Sequence, residues 1–422
     1  MDVKVTTLKN GLRVISDPMP GLETSAVGVW VDTGARHETA AENGISHVLE
    51  HMAFKGTSKR SALQIAEVIE SVGGHLNAYT SRDQTAYYAR VLKDDVPLAV
   101  DILSDILQHS VFDEREIARE KEVIVQEIGQ TFDTPDDIIF DYLQETSYPD
   151  QPIGRSILGT VSQVRGFERG MIADYMNRHY LGPGMVLSAS GAIDHDALVR
   201  LAEEAFGELS ASGGYEMEPA VYRGGDYREA RKLEQVHYAL SVPGASYMDD
   251  DYYALQILSG LLGGGMSSRL FQEIRERRGL CYSVFSFASS FMDSGTFTVY
   301  AGTGEEHISE LSHVLTDELR RVSDDLSMSE VERAKAQLKA SLLMGMEGPA
   351  ARAEVHARQL QIYGRVLPAA EITESIDAVR LEDVKNLAGR LFYGVTPTIA
   401  ALGPLKNLDP YERIAARLKS CH

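Results

Sequence analysis

The sequence has 422 residues, 44% of them hydrophobic, and this length exceeds the range over which one hydrophobic core usually grows, so we expect two domains. The formal net charge of −21 argues against nucleic-acid and anionic-membrane partners and favours cationic ligands. The two cysteines, Cys281 and Cys421, are far apart and form no CxxC pair, which argues against a disulfide framework or a thiolate zinc site.

The amino-terminal segment MDVKVTTLKNGLRVI does not have the long apolar region after a basic one that marks a secretory leader. No run along the chain approaches the roughly 18 apolar residues of a membrane span. We therefore expect a bacterial cytoplasmic protein with neither a membrane nor a nucleic acid as partner.

The first patterned elements of the chain recur in its second half. Residues 26–35 (AVGVWVDTGA) and 237–246 (HYALSVPGAS) each predict an apolar strand that enters a glycine-containing turn. An offset of about half the chain aligns them, and it also aligns two further strand-like runs and two helical runs, at 84–91 with 295–302 and at 96–107 with 307–318. We predict an α+β protein of two homologous lobes, each a mainly antiparallel sheet covered by helices on one side.

The boundary between the lobes is predicted from composition. The segment ELSASGGYEMEPAVYRGGDY is rich in glycine, serine and charged residues and has no periodicity. We expect residues 211–227 to link an N-terminal lobe, residues 1–210, to a C-terminal lobe, residues 228–422.

The segment HVLEHMAF begins with a candidate metal site. His47 and His51 are four residues apart, so on a helix both imidazoles project from one face and can bind the same Zn²⁺. Glu50 lies between them, where it can take a proton from a water molecule at the metal. Asn43 as the helix cap and Gly56 after the end predict a helix around this motif. The spacing is that of the HxxEH zinc motif, although the alternative of a polar helix face stays open on the motif alone.

A third ligand is expected from another helix. Residues 113–130 (DEREIAREKEVIVQEIGQ) have helical periodicity and contain several acidic residues. Glu120 and Glu127 are seven residues apart and therefore share one helix face. Periodicity does not choose between them, and a solvated helix face is the competing interpretation for either residue.

Four segments, in order, resemble the pitrilysin and insulysin family of zinc peptidases, and within it the processing-peptidase branch and its bacterial homologues: GISHVLEHMAFKGT, GGHLNAYTSRDQTAYY, EREIAREKEVIVQEI and LLGGGMSSRLFQEIRERRGLCYSVFSF. The resemblance covers nearly the whole chain. It implies that His47, His51 and Glu127 bind zinc and that Glu50 is the catalytic base. It also implies that Glu120 supports the site as a partner of a ligand histidine.

The same resemblance implies a substrate site in the N-terminal lobe. The strand-like segment LNAYTS is similar to the family's edge strand, which pairs with an extended peptide through positions that match Asn77, Ala78 and Tyr79. Phe54 matches an aromatic position that lines the pocket for the leaving-group side of the substrate. The competing interpretations are an ordinary sheet strand and a core phenylalanine.

The C-terminal lobe is expected to contribute other contacts. Arg275 and Tyr282 match a family arginine and tyrosine that reach the substrate and the developing oxyanion. Some relatives divide the metal motif and this pair between two subunits, whereas this chain carries both, so we expect a homodimer whose lobes enclose a chamber. Under the internal repeat, the three motif residues align with Leu258, Leu261 and Leu262, so we expect one zinc ion per chain.

These features together predict a zinc metalloendopeptidase that hydrolyses unstructured oligopeptides or presequence-like basic peptides. The alternative is a non-catalytic structural or partner subunit of the same fold, because fold alone does not separate the two. The presence of His47, Glu50, His51 and Glu127 together favours the enzyme.

Overall fold

The computed structural model describes residues 3–213 and 217–419. Residues 214–216 of the predicted linker, and Cys421, lie outside the described residues. Among the helices of the described part of the chain, none is both long enough and apolar enough to cross a bilayer.

Each of the strand-like runs predicted at 26–35, 84–91, 237–246 and 295–302 overlaps an observed strand. In chain order, the strands are β1 (Lys4–Thr7), β2 (Arg13–Pro18), β3 (Thr24–Val31), β4 (His75–Thr80), β5 (Thr85–Leu92), β6 (Met185–Gly191), β7 (Gly225–Ala230), β8 (Val236–Pro243), β9 (Cys281–Ser290), β10 (Gly295–Thr303) and β11 (Thr398–Gly403).

The α-helices account for most of the remaining regular structure. In chain order, they are α1 (Ile45–Ala53), α2 (Ala62–Ser71), α3 (Val96–Gln108), α4 (Glu114–Phe132), α5 (Pro135–Ser147), α6 (Val161–Gly166), α7 (Arg169–His179), α8 (His195–Phe206), α9 (Tyr252–Gly263), α10 (Ile308–Asp325), α11 (Met328–Gly345), α12 (Pro349–Tyr363), α13 (Ala369–Ala378), α14 (Leu381–Phe392) and α15 (Tyr411–Lys419).

The chain forms two compact units, and each of them takes segments from both halves of the sequence. The first unit consists of Met1–Gly129, Arg155–Glu218 and Met344–Pro368. The second consists of Gln130–Gly154, Pro219–Leu343 and Ala369–His422. The sequence patterns did not predict this exchange, in which α5 belongs to the second unit and α12 to the first.

Among the described residues each unit contains one sheet, and the sheet of the first unit has the five-strand arrangement of the second with one further strand, β1, at its edge. The strand order is β1-β2-β6-β3-β5-β4 in the first unit and β7-β11-β8-β10-β9 in the second. In each sheet one pair is parallel, β2 with β6 or β7 with β11, and the other pairs are antiparallel. The predicted pair of similar, mainly antiparallel sheets is therefore confirmed.

The metal-motif helix α1 is held by its apolar face. Ile45, Val48, Leu49 and Met52 follow the i, i+3, i+4, i+7 spacing of an amphipathic helix, and all four are buried in the core of the first unit. Burying each such side chain contributes roughly 1.5–3 kcal/mol to folding. The same periodicity places the motif histidines and glutamate along the flank of the helix, where they do not enter the core.

Helices cover both faces of each sheet, whereas the sequence predicted helices on one side only. In the first unit, Ala353 and Ala357 of α12 pack against Trp30 on the face opposite α1. In the second unit, Ile139 and Leu143 of α5 pack against Ala239 of β8 and Leu402 of β11. The sequence offered no sign of this, because each covering helix lies far along the chain from most of the strands it covers.

Candidate metal centre

Helix α1 begins at Gly44, whose φ of 96° lies in the left-handed region that glycine tolerates best. The predicted cap at Asn43 is wrong: the backbone N–H groups of Gly44 and Ser46 donate instead to the carboxylate of Glu38, each at 2.8 Å. Asn43 also donates to Glu38, through its side-chain nitrogen at 3.1 Å. Burial raises the pKa of Glu38 to about 7, although these hydrogen bonds oppose the rise. A buried carboxyl group therefore anchors the first turn of the metal-motif helix.

Three side chains converge on one point beside α1. Nε2 of His47 lies 3.7 Å and Nε2 of His51 lies 3.5 Å from Oε2 of Glu127 on α4. One ligand atom from each of the three residues lies within 4.8 Å of the others. Glu127 is 40% exposed, so the point they surround is open to solvent on one side. Two imidazole nitrogens, a carboxylate oxygen and an open position match the ligand set of a catalytic zinc site.

His51 is oriented by a second glutamate on the same helix. Oε2 of Glu120 lies 3.1 Å from Nδ1 of His51, and its Oε1 lies 2.7 Å from Nζ of Lys55. Glu120 is paired with Lys55, and a carboxylate only accepts hydrogen bonds, so Nδ1 of His51 carries the proton in this contact. Nε2 is then unprotonated, and its lone pair is available to bind a metal on the side of Glu127.

His47 is prepared for metal binding by its burial. Burial, and to a lesser degree the neighbouring His51, lower the pKa of His47 to about 4. The imidazole is therefore neutral near pH 7, which is the form that binds metal ions. Its Nδ1 is buried and has no hydrogen-bond partner among the described residues. Its other ring nitrogen, Nε2, lies on the side of Glu127.

Glu50 lies beside this cluster and accepts hydrogen bonds from Thr80. The hydroxyl of Thr80, the last residue of β4, donates to Oε2 of Glu50 at 2.6 Å. Burial raises the pKa of Glu50, as does repulsion from the carboxylate of Glu127, while Thr80 and His51 act in the opposite direction. A carboxylate that is partly desolvated next to a metal site is suited to accept a proton and to return it.

The chain is similar to known proteins over nearly its whole length. Residues 13–161 match the insulinase (peptidase family M16) domain, and residues 166–338 match the peptidase M16 inactive domain. The chain is 40% identical over 401 residues to an uncharacterized zinc protease of Rickettsia felis, an alignment that covers 95% of this chain and 97% of that protein. The chain belongs to peptidase family M16, the insulinase family.

A second relative in family M16 is the mitochondrial-processing peptidase subunit beta of Bos taurus. It is 38% identical over 434 residues, and the alignment covers 100% of this chain and 88% of that protein. The family resemblance found in the sequence is thus confirmed. The names of these relatives support a metallopeptidase function for this chain, with zinc as the implied metal.

Two solved structures have the same fold as this chain. A protease from Helicobacter pylori matches with a TM-score of 0.89 at 21% identity, covering 96% of this chain and 99% of that one. A chain of complex III2 from Candida albicans matches with a TM-score of 0.86 at 23% identity, covering 99% and 100%. At such identities the matches establish the fold alone, and the predicted two-lobe α+β fold is confirmed.

The strand proposed to bind peptides in this family M16 chain lies at the edge of its sheet. Among the strands of the described residues, β4 pairs only with β5, so no strand lies along the other side of its backbone. Asn77 is exposed, and the N–H of Ala78 donates to Oδ1 of Asn77 at 2.9 Å. The hydroxyl of Tyr79 donates to Glu354 of α12, on the sheet face opposite the metal centre. An extended peptide can therefore meet Tyr79 through its backbone only.

Phe54 lies directly after the metal-motif helix and is half-buried. It packs against the core of the first unit, and its ring centre is 6.2 Å from that of Tyr87. This position is compatible with the core interpretation and also with a pocket wall, so its predicted substrate contact stays a prediction.

The predicted pair from the C-terminal half lies in the second unit. Arg275 belongs to a π-helical segment, Phe271–Arg277, and its guanidinium carbon is 5.0 Å from the ring centre of Tyr282. Tyr282 is 82% exposed, which is unusual for so large a side chain. The three leucines that align with the metal motif, Leu258, Leu261 and Leu262, are buried on α9.

Three residues that contact the site were missed in the sequence. Lys55 lies two residues beyond the end of α1, so only its nearness to His51 in the sequence could have suggested it. Thr80 alternates with Leu76 and Ala78, a pattern that indicates the core face of β4. Glu38 had no comparable signal, because it reaches the start of α1 through an irregular connection.

Proposed function

We propose that the protein is a zinc-dependent endopeptidase that hydrolyses peptide bonds in unstructured, extended peptides, with Glu50 as the general base. The observation that supports this most directly is the convergence of His47, His51 and Glu127 beside Glu50. Glu120 orients His51 through its contact with Nδ1, which supports a metal-binding role for the opposite nitrogen, Nε2.

In the proposed reaction the metal and three side chains have different roles. Zinc, when bound, would act as a Lewis acid that lowers the pKa of a water molecule at the open position. Glu50 would remove a proton from the attacking water and afterwards donate it to the nitrogen of the leaving amine. Arg275 and Tyr282 would donate hydrogen bonds to the carbonyl oxygen of the substrate as negative charge develops there.

The proposed substrates are extended peptides, with basic ones favoured. The open edge of β4 at Asn77, Ala78 and Tyr79 offers backbone groups for strand addition, which depends little on side-chain identity. The net charge of −21 favours cationic partners through long-range attraction. Oligopeptides in general and presequence-like basic peptides both satisfy these conditions.

The remaining proposals concern stoichiometry, assembly and location. We propose one zinc per chain, a homodimer, and a bacterial cytoplasmic location, with residues 1–210 as the catalytic lobe and 228–422 as the lobe that contributes substrate contacts. The presence of both the metal motif and the Arg275 and Tyr282 pair in one chain supports a self-sufficient assembly. Light scattering of the purified protein, with metal analysis, tests the first two of these.

The decisive experiment compares the wild type with Glu50→Gln after zinc quantification in both. Each protein is incubated with an unstructured basic peptide of about twenty residues, with and without a chelator, and the products are identified by mass spectrometry. An acidic peptide of the same length is the matched control for charge preference. We expect cleavage by the wild type only, with reversible loss on chelation, and equal zinc content in the variant.

Another result would favour the alternative function. If the wild type binds zinc but cleaves no peptide of any length or charge, the non-catalytic structural or partner subunit becomes the better description. Cleavage by Glu50→Gln at the wild-type rate would remove Glu50 from the mechanism while leaving the metal site in place.

A further inference from the structure

The contact between Thr80 and Glu50 connects the edge strand β4 to the metal-motif helix α1 of the proposed peptidase. Thr80 ends β4, the edge strand, and pairs across the sheet with Thr85 of β5. Its hydroxyl donates to Oε2 of Glu50 at 2.6 Å, a short distance typical of a hydrogen bond to a charged oxygen. The residue that ends the peptide-binding strand therefore also holds the proposed base.

The alternation of β4 explains why Thr80 points to the metal-motif helix. Leu76 and Ala78 pack against the core that lies between the sheet and α1, and Thr80 follows them at the same period of two. Tyr79 projects to the other face, where it packs against the α12 side. A shift of one residue in the strand would reverse these faces and would remove the hydroxyl from Glu50.

The hydroxyl of Thr80 orients a carboxylate that lies beside the metal point. The Glu50 carboxylate lies close enough to His51 and to Glu127 to interact with both of them. Thr80 fixes Oε2 from the strand side and leaves Oε1 for a proton. A carboxylate held by one oxygen loses less orientational freedom when it reacts than an unrestrained one.

We propose that Thr80 is a positioning residue, which sets the orientation of Glu50 relative to a peptide docked on β4. The proposal rests on the proposed peptidase function and on Glu50 as its base. A peptide paired with residues 77–79 would have its backbone one or two residues from the group that orients the base. The single strand β4 would then both bind the peptide backbone and orient the base, independently of the side chains of the peptide.

The test uses the zinc-loaded full-length protein and two substitutions at one position. Thr80→Val removes the hydroxyl and keeps the branched side chain that suits a strand, and Thr80→Ser keeps the hydroxyl. Thr24→Val, at an exposed position of β3 in the same sheet, is the matched control. For each protein, kcat, KM, zinc content and Tm are measured with the basic peptide. Peptide affinity is measured by calorimetry in a Glu50→Gln background, with and without Thr80→Val.

We expect Thr80→Val to lower kcat by about 10- to 100-fold, the range for loss of a hydrogen bond to a charged group, with KM, zinc content and peptide affinity unchanged. Thr80→Ser and Thr24→Val should retain the wild-type kcat. An active serine variant would show that the loss in Thr80→Val comes from the missing hydroxyl and not from a less stable strand. If Thr80→Val does not fold, a normal Thr80→Ser beside a slow Thr80→Ala supports the same conclusion.

Three results would overturn the proposal. A wild-type kcat in Thr80→Val, while Glu50→Gln is inactive, would overturn this inference alone. A raised KM or weakened calorimetric affinity with unchanged kcat would show that Thr80 acts in docking, not on the base. An inactive wild type would overturn the proposed function, and this inference with it.

Discussion

Glu120 determines which nitrogen of His51 faces the metal point: its Oε2 lies 3.1 Å from Nδ1 of that imidazole. The other oxygen of Glu120 is paired with Lys55 at 2.7 Å, so the carboxylate is held from two directions. Such partners of a ligand histidine raise its basicity and reduce its rotation, and the metal affinity depends on both.

Glu120→Gln should therefore weaken zinc binding by about 10- to 100-fold, because an amide is a poorer acceptor for the Nδ1 proton and loses the pair with Lys55. Competition with a chromophoric chelator measures the dissociation constant. Glu122→Gln is the control, since Glu122 lies on the same helix with its side chain 63% exposed. Equal affinities of wild type and Glu120→Gln would show that His51 is oriented without Glu120.

Glu38 should make stability depend on pH in a direction opposite to that of most carboxylates. Its pKa is raised from 4.5 to about 7 by burial, so the folded state binds the proton more tightly than the unfolded state. This contribution to the free energy of unfolding is fully present below about pH 4.5 and is lost as the pH rises to about 7. The expected loss is of the order of 1 to 3 kcal/mol.

Glu38→Gln removes that titration, so its free energy of unfolding should fall less than that of the wild type between about pH 5 and pH 7. Urea unfolding at several pH values across this range measures the difference. Glu23→Gln, at an exposed carboxyl group, should reproduce the wild-type slope. Parallel profiles for wild type and Glu38→Gln would contradict a raised pKa for Glu38.

Asp17 should be required for packing of α12 on the first sheet. It is 1% exposed, and its Oδ2 accepts hydrogen bonds from Nε2 of His356 at 2.9 Å and from Arg352 at 3.0 Å. Burial alone would raise the pKa of Asp17, but the two donors outweigh burial and lower it. Asp17→Asn would leave these donors without an anionic partner.

We expect Asp17→Asn to reduce the free energy of unfolding by about 3 kcal/mol, near the lower end for a broken buried ion pair. Thermal unfolding gives the change, and the double variant Asp17→Asn/His356→Gln tests its origin. If the two residues act as a pair, the double variant should lose less than the sum of the single losses. Additive losses would mean that Asp17 stabilises the fold through other contacts.

Tyr282→Phe should affect the chemical step of the proposed reaction without affecting the metal. The phenol would donate to developing negative charge, so its loss should lower kcat by about 100-fold while zinc content stays at the wild-type level. Steady-state kinetics with metal analysis measures both quantities. Tyr253→Phe, at a half-buried position in the same unit, is the control. A wild-type kcat in Tyr282→Phe would remove this tyrosine from the proposed mechanism.

Local patterns in the sequence predicted a large part of the fold and of the metal centre. Alternating or apolar runs identified β3, β5, β8 and β10, and the repeat between the two halves corresponds to the shared strand order of the two sheets. The spacing of His47, Glu50 and His51 was sufficient to place them together, because residues three and four apart on a helix are neighbours wherever the helix packs.

Tertiary structure decided what depends on contacts between distant segments. Glu120 and Glu127 share a face of α4, so periodicity could not assign their roles, whereas packing against α1 places one beside Nδ1 of His51 and the other beside Nε2. The contacts of Glu38 and Thr80 and the exchange of α5 and α12 also depend on such packing. The sequence by itself determined which chemical groups are present and which helix carries them. The packing of remote segments determined the direction each group faces, because hydrogen-bond geometry depends on distances that sequence spacing does not encode.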